Sequence, residues 1–276
     1  MKSLLMKISF VTLILLSAFA PAHADVIPVE GTSNEYFDKG PTMTMLWEAA
    51  SPMATVVVIM GGGGSVGINR NTTEIKNPTA NMMRLLTKPV LSAPTMNVVV
   101  YDSPYDLQSG AQALTTRCSD DQLTRIESVV KFYRNKFNHP IWLMGHSNGT
   151  LSVAAFINRS DENRKWLSGA ILSGSRNESR ISKPIDFPVL VIRHQNDGCI
   201  SATLDNASRH YEQIKSLNSS GTELKSVSGG AGLGNPCTDG YHMYKEAYPE
   251  AAKLIRGFIV QSSPRTAVKN QLQQAP

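Results

Sequence analysis

Charge is scarce in this chain of 276 residues: Asp, Glu, Lys and Arg make up 18% of it, with 27 basic residues against 22 acidic ones. An excess of +5 spread along the whole length builds no basic face, so neither a nucleic-acid nor a membrane-surface partner is expected. Long apolar runs are lacking too. The most apolar stretch, Ile8 to Ala20, falls short of the ~20 residues that a bilayer-spanning helix needs. No cluster of Asp and Glu and no pair of histidines sits at metal-ligand spacing, so no metal is expected. No segment repeats, which excludes a stacked array.

What the N-terminus does contain is a tripartite export signal. Lys2 and Lys7 flank the start of the apolar stretch, and Ala22-His23-Ala24 offers small residues at the two positions that specify cleavage. Residues 1–24 are expected to be a signal peptide cut before Asp25, placing the protein in the periplasm or the medium. No cysteine follows the apolar run, so no lipid anchor and no stable membrane anchor is expected. The cut removes two lysines and no acid, and the formal charge falls to +3. Residues 25–261 suffice for one large core and are few for two. Residues 262–276, polar and rich in Gln, Ser and Pro, are expected to be a solvated tail.

Between these ends, strands alternate with helices, the pattern of an α/β domain with a mostly parallel central sheet covered on both faces. Expected strands are Thr42–Trp47, Ala54–Met60, Asn97–Tyr101, Ile141–Met144, Leu167–Leu172, Pro188–Arg193 and Leu224–Val227. Val56, Val57, Val58 and Ile59 form the kind of β-branched run that is buried on both faces. Helices are expected over Asn81–Thr87, from Ser119, over Thr203–Leu217 and from Pro249. Ser119 with Gln122 three residues on is a capping box, and Leu123, Ile126, Val130, Tyr133 and Phe137 then recur at helical spacing.

Gly145-His146-Ser147-Asn148-Gly149 joins the Ile141 strand to a helical pattern carrying Leu151, Ala154, Ala155 and Ile157. A G-x-S-x-G at a strand-to-helix turn is a nucleophile elbow, which exposes the serine hydroxyl at the carboxyl edge of a sheet. The base and the acid that such a serine needs belong on loops at the same edge, in the order Ser, acid, His. His23 leaves with the signal, His139 precedes the elbow strand, and His146 lies in the elbow itself. His194 lies upstream of the acid, and His210 falls on a helix beside Arg209 and Glu212 and is expected at the surface. His242 remains, in a loop between the last strand and the last helix. Asp197, on a turn after Val189–Ile192, is the expected acid, with Glu178 as its rival.

Gly61-Gly62-Gly63-Gly64-Ser65 follows the Val56 strand, and glycine lets backbone N–H groups approach a developing oxyanion. The N–H of Asn148 is one expected donor and that of Gly62 or Gly63 the other. The same stretch also fits G-x-G-x-x-G from Gly62 to Gly67, with Asp102 ending the next strand, which keeps a nicotinamide-dependent oxidoreductase as an alternative. Against it, Ile68–Thr72 opens a helix poorly and no acid stands at the usual spacing.

Taken together, these residues resemble the α/β-hydrolase superfamily over about Thr42 to Val260. The resemblance implies an acyl-enzyme mechanism with Ser147 as nucleophile, His242 as base, Asp197 as its orienting acid, and no cofactor. It departs in lacking the histidine before the glycine run, and in having little room between Ser173 and Pro188 for an inserted cap. Since acid and base would meet, Cys199 and Cys237 would share one rim of the sheet. A Cys199–Cys237 disulfide is therefore expected, with Cys118 left as a free thiol. The expected activity is that of a secreted serine hydrolase, a carboxylesterase on a small-molecule ester. The alternatives are a serine peptidase or acyltransferase on the same fold, and a non-catalytic binding protein on this scaffold. Met82, Met83, Leu85 and Leu86 are candidates for an acyl pocket, and Tyr101, Tyr105 and Tyr241 weaker ones for substrate contact. Oligomeric state leaves no mark on the sequence.

Overall fold

A computed structural model describes residues 24–31, 34–68, 91–92 and 94–263. Eight strands make one sheet: β1 (Ala24–Val29), β2 (Thr42–Trp47), β3 (Ala54–Ile59), β4 (Met96–Asp102), β5 (Ile141–His146), β6 (Gly169–Ser173), β7 (Val189–His194) and β8 (Thr222–Val227). Their order is β1-β2-β4-β3-β5-β6-β7-β8. The β1–β2 and β2–β4 pairs are antiparallel, and all others from β4 to β8 are parallel. The helices are α1 (Asn34–Phe37), α2 (Gln112–Arg117), α3 (Asp120–Phe137), α4 (Gly149–Arg159), α5 (Asp161–Lys165), α6 (Leu204–Leu217) and α7 (Tyr248–Ser262), with a 3₁₀ turn at Gly240–Met243.

Every residue of β3, β4, β5 and β6 is buried. Helices cover both faces of these strands, so each is mainly apolar, with its polar residues at or near the strand ends. Val56, Val58, Val98, Val100, Trp142 and Met144 face the layer containing Ala251, Ile255 and Phe258 of α7. Their neighbours Val57, Ile59, Val99, Leu143 and Leu172 face α3 and α4. Half of the expected α3 capping box forms: Ser119 Oγ accepts the Gln122 N–H at 3.3 Å, while the Gln122 side chain accepts from Tyr101 and the Ser119 N–H goes to Thr116 O. Asn138 ends the helix at φ 52°. Parallel pairing brings the carboxyl ends of β3, β5, β6, β7 and β8 to one edge, and the candidate residues lie on the loops there.

The expected strands and helices from Thr42 onward match these elements to within two residues where the chain is described. The expected helix at Asn81–Thr87 and the acyl-pocket candidates on it lie outside the described residues, as does most of the expected leader. β1, α1, α2 and α5 were not read from the sequence. In β1, Pro28 interrupts the pattern, and the strand tolerates it as a sheet edge paired only to β2.

Candidate functional site

At the end of β5 the chain turns sharply into α4, and the turn is made by Ser147 at φ 52°. A non-glycine residue held there costs about 1–3 kcal/mol, so its surroundings must impose the conformation. They do so sterically. A Cβ on Gly145 would lie 2.6 Å from the carbonyl of Gly149, and one on Gly149 only 2.1 Å from the carbonyl oxygen of Ile59 in β3. Both glycines of the pentapeptide are thus required by close approach of backbone to backbone. The Ser147 N–H donates to Ser173 O at 2.9 Å, and Thr150 Oγ1 donates back to Ser147 O at 2.6 Å.

Asp197 and His242 meet, 45 residues apart in sequence. Nδ1 of His242 bonds Asp197 Oδ2 at 2.8 Å, and both side chains are essentially inaccessible to solvent. The carboxylate can only accept, so Nδ1 carries the hydrogen; the other carboxylate oxygen accepts the Cys199 N–H at 2.9 Å. Nε2 of His242 is buried and has no hydrogen-bond partner among the described residues. A Cβ on Gly174 would come 3.0 Å from the His242 ring. Gly174 follows Ser173, whose carbonyl holds Ser147, so imidazole and elbow flank one short segment. Cys199 and Cys237 form the expected disulfide, which ties the acid loop to the loop preceding the histidine. Cys118 is free and exposed.

The remaining histidines have other work. The His146 ring lies 5.1 Å from that of His242, tilted by 43°, and bonds Ser173 Oγ, which in turn bonds the Tyr244 hydroxyl. Burial, and secondarily the neighbouring His242, hold its pKa well below the ordinary imidazole value. His194 accepts from the Asn196 N–H and must donate through Nε2 to Gly229 O at 2.7 Å, which fixes it as a neutral tautomer. His210, expected at the surface, is instead buried where its helix packs on the Asn177 loop, and its Nε2 bonds the Asn177 carbonyl. Glu178, the rival acid, pairs with Arg176 at 3.0 Å instead. Its partial burial opposes ionisation, but the Arg176 bond and charge prevail and hold the carboxyl below its usual value.

The glycine run closes a turn, Gly64 N–H to Gly61 O at 3.1 Å, with Gly62 at φ 57°. Gly61 lies against the nucleophile candidate: a Cβ there would be 2.9 Å from Ser147 Cβ. Gly63 faces Asp106. Beyond the run, Asp102 accepts the N–H groups of Val66 and Ile68 at 2.6 and 2.7 Å. Ser65–Ile68, the described residues after the run, are irregular, and the Asp102 carboxylate is committed to their N–H groups. Tyr101 is fully buried and donates to Gln122, Tyr105 donates to Asp121, and Tyr241 stacks on His194. Two arginines that no sequence motif marks, Arg117 and Arg176, also reach this region, bonding Gly62 O and Asn148 Oδ1.

No family model matches the sequence, and no curated protein matches it. Solved structures do. A dienelactone hydrolase from Anabaena variabilis superposes with a TM-score of 0.58 at 14% identity, covering 89% of this chain and all of that one. An α/β serine hydrolase without a lid from Xanthomonas campestris gives 0.53 at 11% identity over 89% and 97% of the two chains. An acylaminoacyl peptidase from Pyrococcus horikoshii gives 0.57 at 11% identity, over 88% of this chain and 42% of that chain. The fold is that of the α/β hydrolases, an eight-stranded, mostly parallel sheet flanked by helices.

Proposed function

We propose that the protein is an exported serine hydrolase that cleaves carboxylic esters of small molecules. The observation that carries this reading is the buried Asp197–His242 pair, with His242 Nε2 left unpartnered on the sheet edge that also presents Ser147 at φ 52°. A buried ring nitrogen without a partner carries a desolvation penalty, which a proton-accepting role for it explains.

In the reaction, Nε2 of His242 takes the Ser147 Oγ proton as that oxygen attacks the ester carbonyl carbon. Asp197 keeps the imidazole in the Nδ1–H tautomer and stabilises the imidazolium. The tetrahedral oxyanion receives N–H groups from Asn148 and from the Gly61–Gly62 segment. The Gly62 carbonyl points at Asn148, and carbonyl and amide oppose one another across a trans peptide. The Gly63 N–H therefore points away, and Gly61 takes its place as a candidate donor. His242 then protonates the leaving alcohol. Water, deprotonated by the same nitrogen, attacks the acyl-enzyme and releases the acid with Ser147 regenerated. The dienelactone hydrolase and the lidless serine hydrolase among the fold neighbours support hydrolysis.

Fluorophosphonate labelling followed by a panel of chromogenic esters of increasing chain length tests the reading. Labelling should map to Ser147, and short esters should turn over faster than the matching anilides. Wild-type protein that is neither labelled nor active on any ester would overturn it; preference for anilides would move it to a peptidase. Export is supported by the leader pattern together with the disulfide. N-terminal sequencing of the secreted product should begin at Asp25.

A further inference from the structure

We infer that Arg176 and the Asn148 side chain are positioning residues, which hold the two halves of the oxyanion hole at a fixed separation; this rests on the serine-hydrolase reading above. One half is the elbow, which supplies the Asn148 N–H. The other is the glycine loop after β3, 86 residues away in sequence. Between them stands the Asn148 carboxamide. Its Nδ2 donates to Gly62 O at 2.9 Å, and its Oδ1 accepts from Arg176 Nη1 at 2.7 Å. Both residues are more than nine-tenths buried, and a hydrogen-bonded chain shielded from water is stiffer and stronger than an exposed one.

Arg176 is itself pinned to the elbow. Its backbone N–H donates to Thr150 Oγ1 at 3.1 Å, and that hydroxyl donates to Ser147 O. From the other side Arg117, completely buried, donates to the carbonyls of Met60, Gly61 and Gly62 at 3.1, 3.4 and 2.8 Å. Three successive carbonyls are thus gathered on guanidinium and carboxamide groups. Each N–H of Gly61, Gly62 and Gly63 lies opposite a gathered carbonyl, so its direction is fixed as well. Glycine would otherwise leave this loop the freest backbone in the site. Arg117 aims the loop, and the Arg176–Asn148 tie sets how close it comes to the elbow. The tie touches neither nucleophile nor base, and Asn148→Ala leaves the backbone donor in place, so the two roles of Asn148 separate experimentally.

The test uses the mature protein, p-nitrophenyl acetate as substrate, and fluorophosphonate titration to count active sites in every preparation. Per titrated site, Asn148→Ala and Arg176→Gln should each lower kcat about 10- to 100-fold, below the loss for deleting a donor outright, with KM within about twofold. The double variant should be no slower than Asn148→Ala alone, because both changes cut one chain. Arg176→Lys, which keeps one donor, should recover part of the loss. Inhibition by a trifluoromethyl ketone, which forms the tetrahedral adduct, should weaken by the factor by which kcat/KM falls. Normal kcat per site in Arg176→Gln, additive losses in the double variant, or a loss confined to KM would overturn the inference. The parent reading fails separately, on wild-type protein that takes up no fluorophosphonate.

Discussion

Ser147 sits in a backbone conformation that side chains avoid, at φ 52° between two glycines that cannot carry a Cβ. Two consequences follow from that one residue. Ser147→Ala should lower ester turnover by roughly 10⁴-fold, the scale for losing a triad member, while the protein stays folded. Ser147→Gly should be equally inactive but more stable than Ser147→Ala by about 1 kcal/mol, because glycine meets positive φ without strain. Urea unfolding of the two inactive variants checks the difference; equal midpoints would show that the elbow is not strained. The same scale decides the acid. Asp197→Asn should cost roughly 10⁴-fold in kcat. Glu178→Gln, which alters only an exposed partner of Arg176, should cost a few-fold at most. Equal losses in kcat for the two would reassign the orienting role.

At the level of elements, the site is an assembly of loops held by a rigid sheet edge. The Cys199–Cys237 bond clasps two of those loops, closing an interval of 38 residues. Loop-closure entropy over that interval corresponds to about 4 kcal/mol, an upper-range value. Local effects should precede global ones. Mild reduction should lower ester turnover while far-ultraviolet circular dichroism is unchanged, because Asp197 and His242 lie on the tethered segments. Unchanged turnover after verified reduction would confine the bond to a structural role. The contact of α4 with β3 is less forgiving. Gly149→Ala would drive a methyl group to 2.1 Å from Ile59 O, so helix and sheet must separate. Loss of more than 3 kcal/mol, or failure to fold, is expected in denaturation experiments.

For the molecule as a whole, buried neutral histidines make stability depend on pH. Burial, and secondarily His242, depress the folded pKa of His146 well below 6.5; burial chiefly lowers His210 and His139 as well. A histidine depressed in the fold is protonated first in the unfolded chain. Stability is therefore complete above about pH 6.5 and is lost as pH falls below it, at up to about 1.4 kcal/mol per pH unit for a fully shifted group such as His146. Urea midpoints between pH 7.5 and 5 should fall accordingly, and His146→Asn should flatten the profile. A flat wild-type profile would mean that His146 gains a proton in the native state.

The succession of strands and helices was readable from the sequence because the buried strands are mainly apolar runs and the long helices carry apolar stripes, with Ser119 and Thr203 capping α3 and α6. Ser147, Asp197, His242 and the cysteine pair were readable for a related reason: chain order and loop position decide which residues reach the carboxyl edge of a parallel sheet. β1 was not readable, since Pro28 breaks its pattern and only pairing with β2 makes it a strand. Nor were Gly61 as the glycine against Ser147, His146 as the ring beside His242, or the arginines that hold the loop and elbow. These depend on packing between segments far apart in sequence, where direction and distance are set by tertiary contacts that no local pattern records. The local code determined which elements form and in what order they reach one edge. Tertiary packing decided how close they stand there, and so which glycine of the run lies against Ser147.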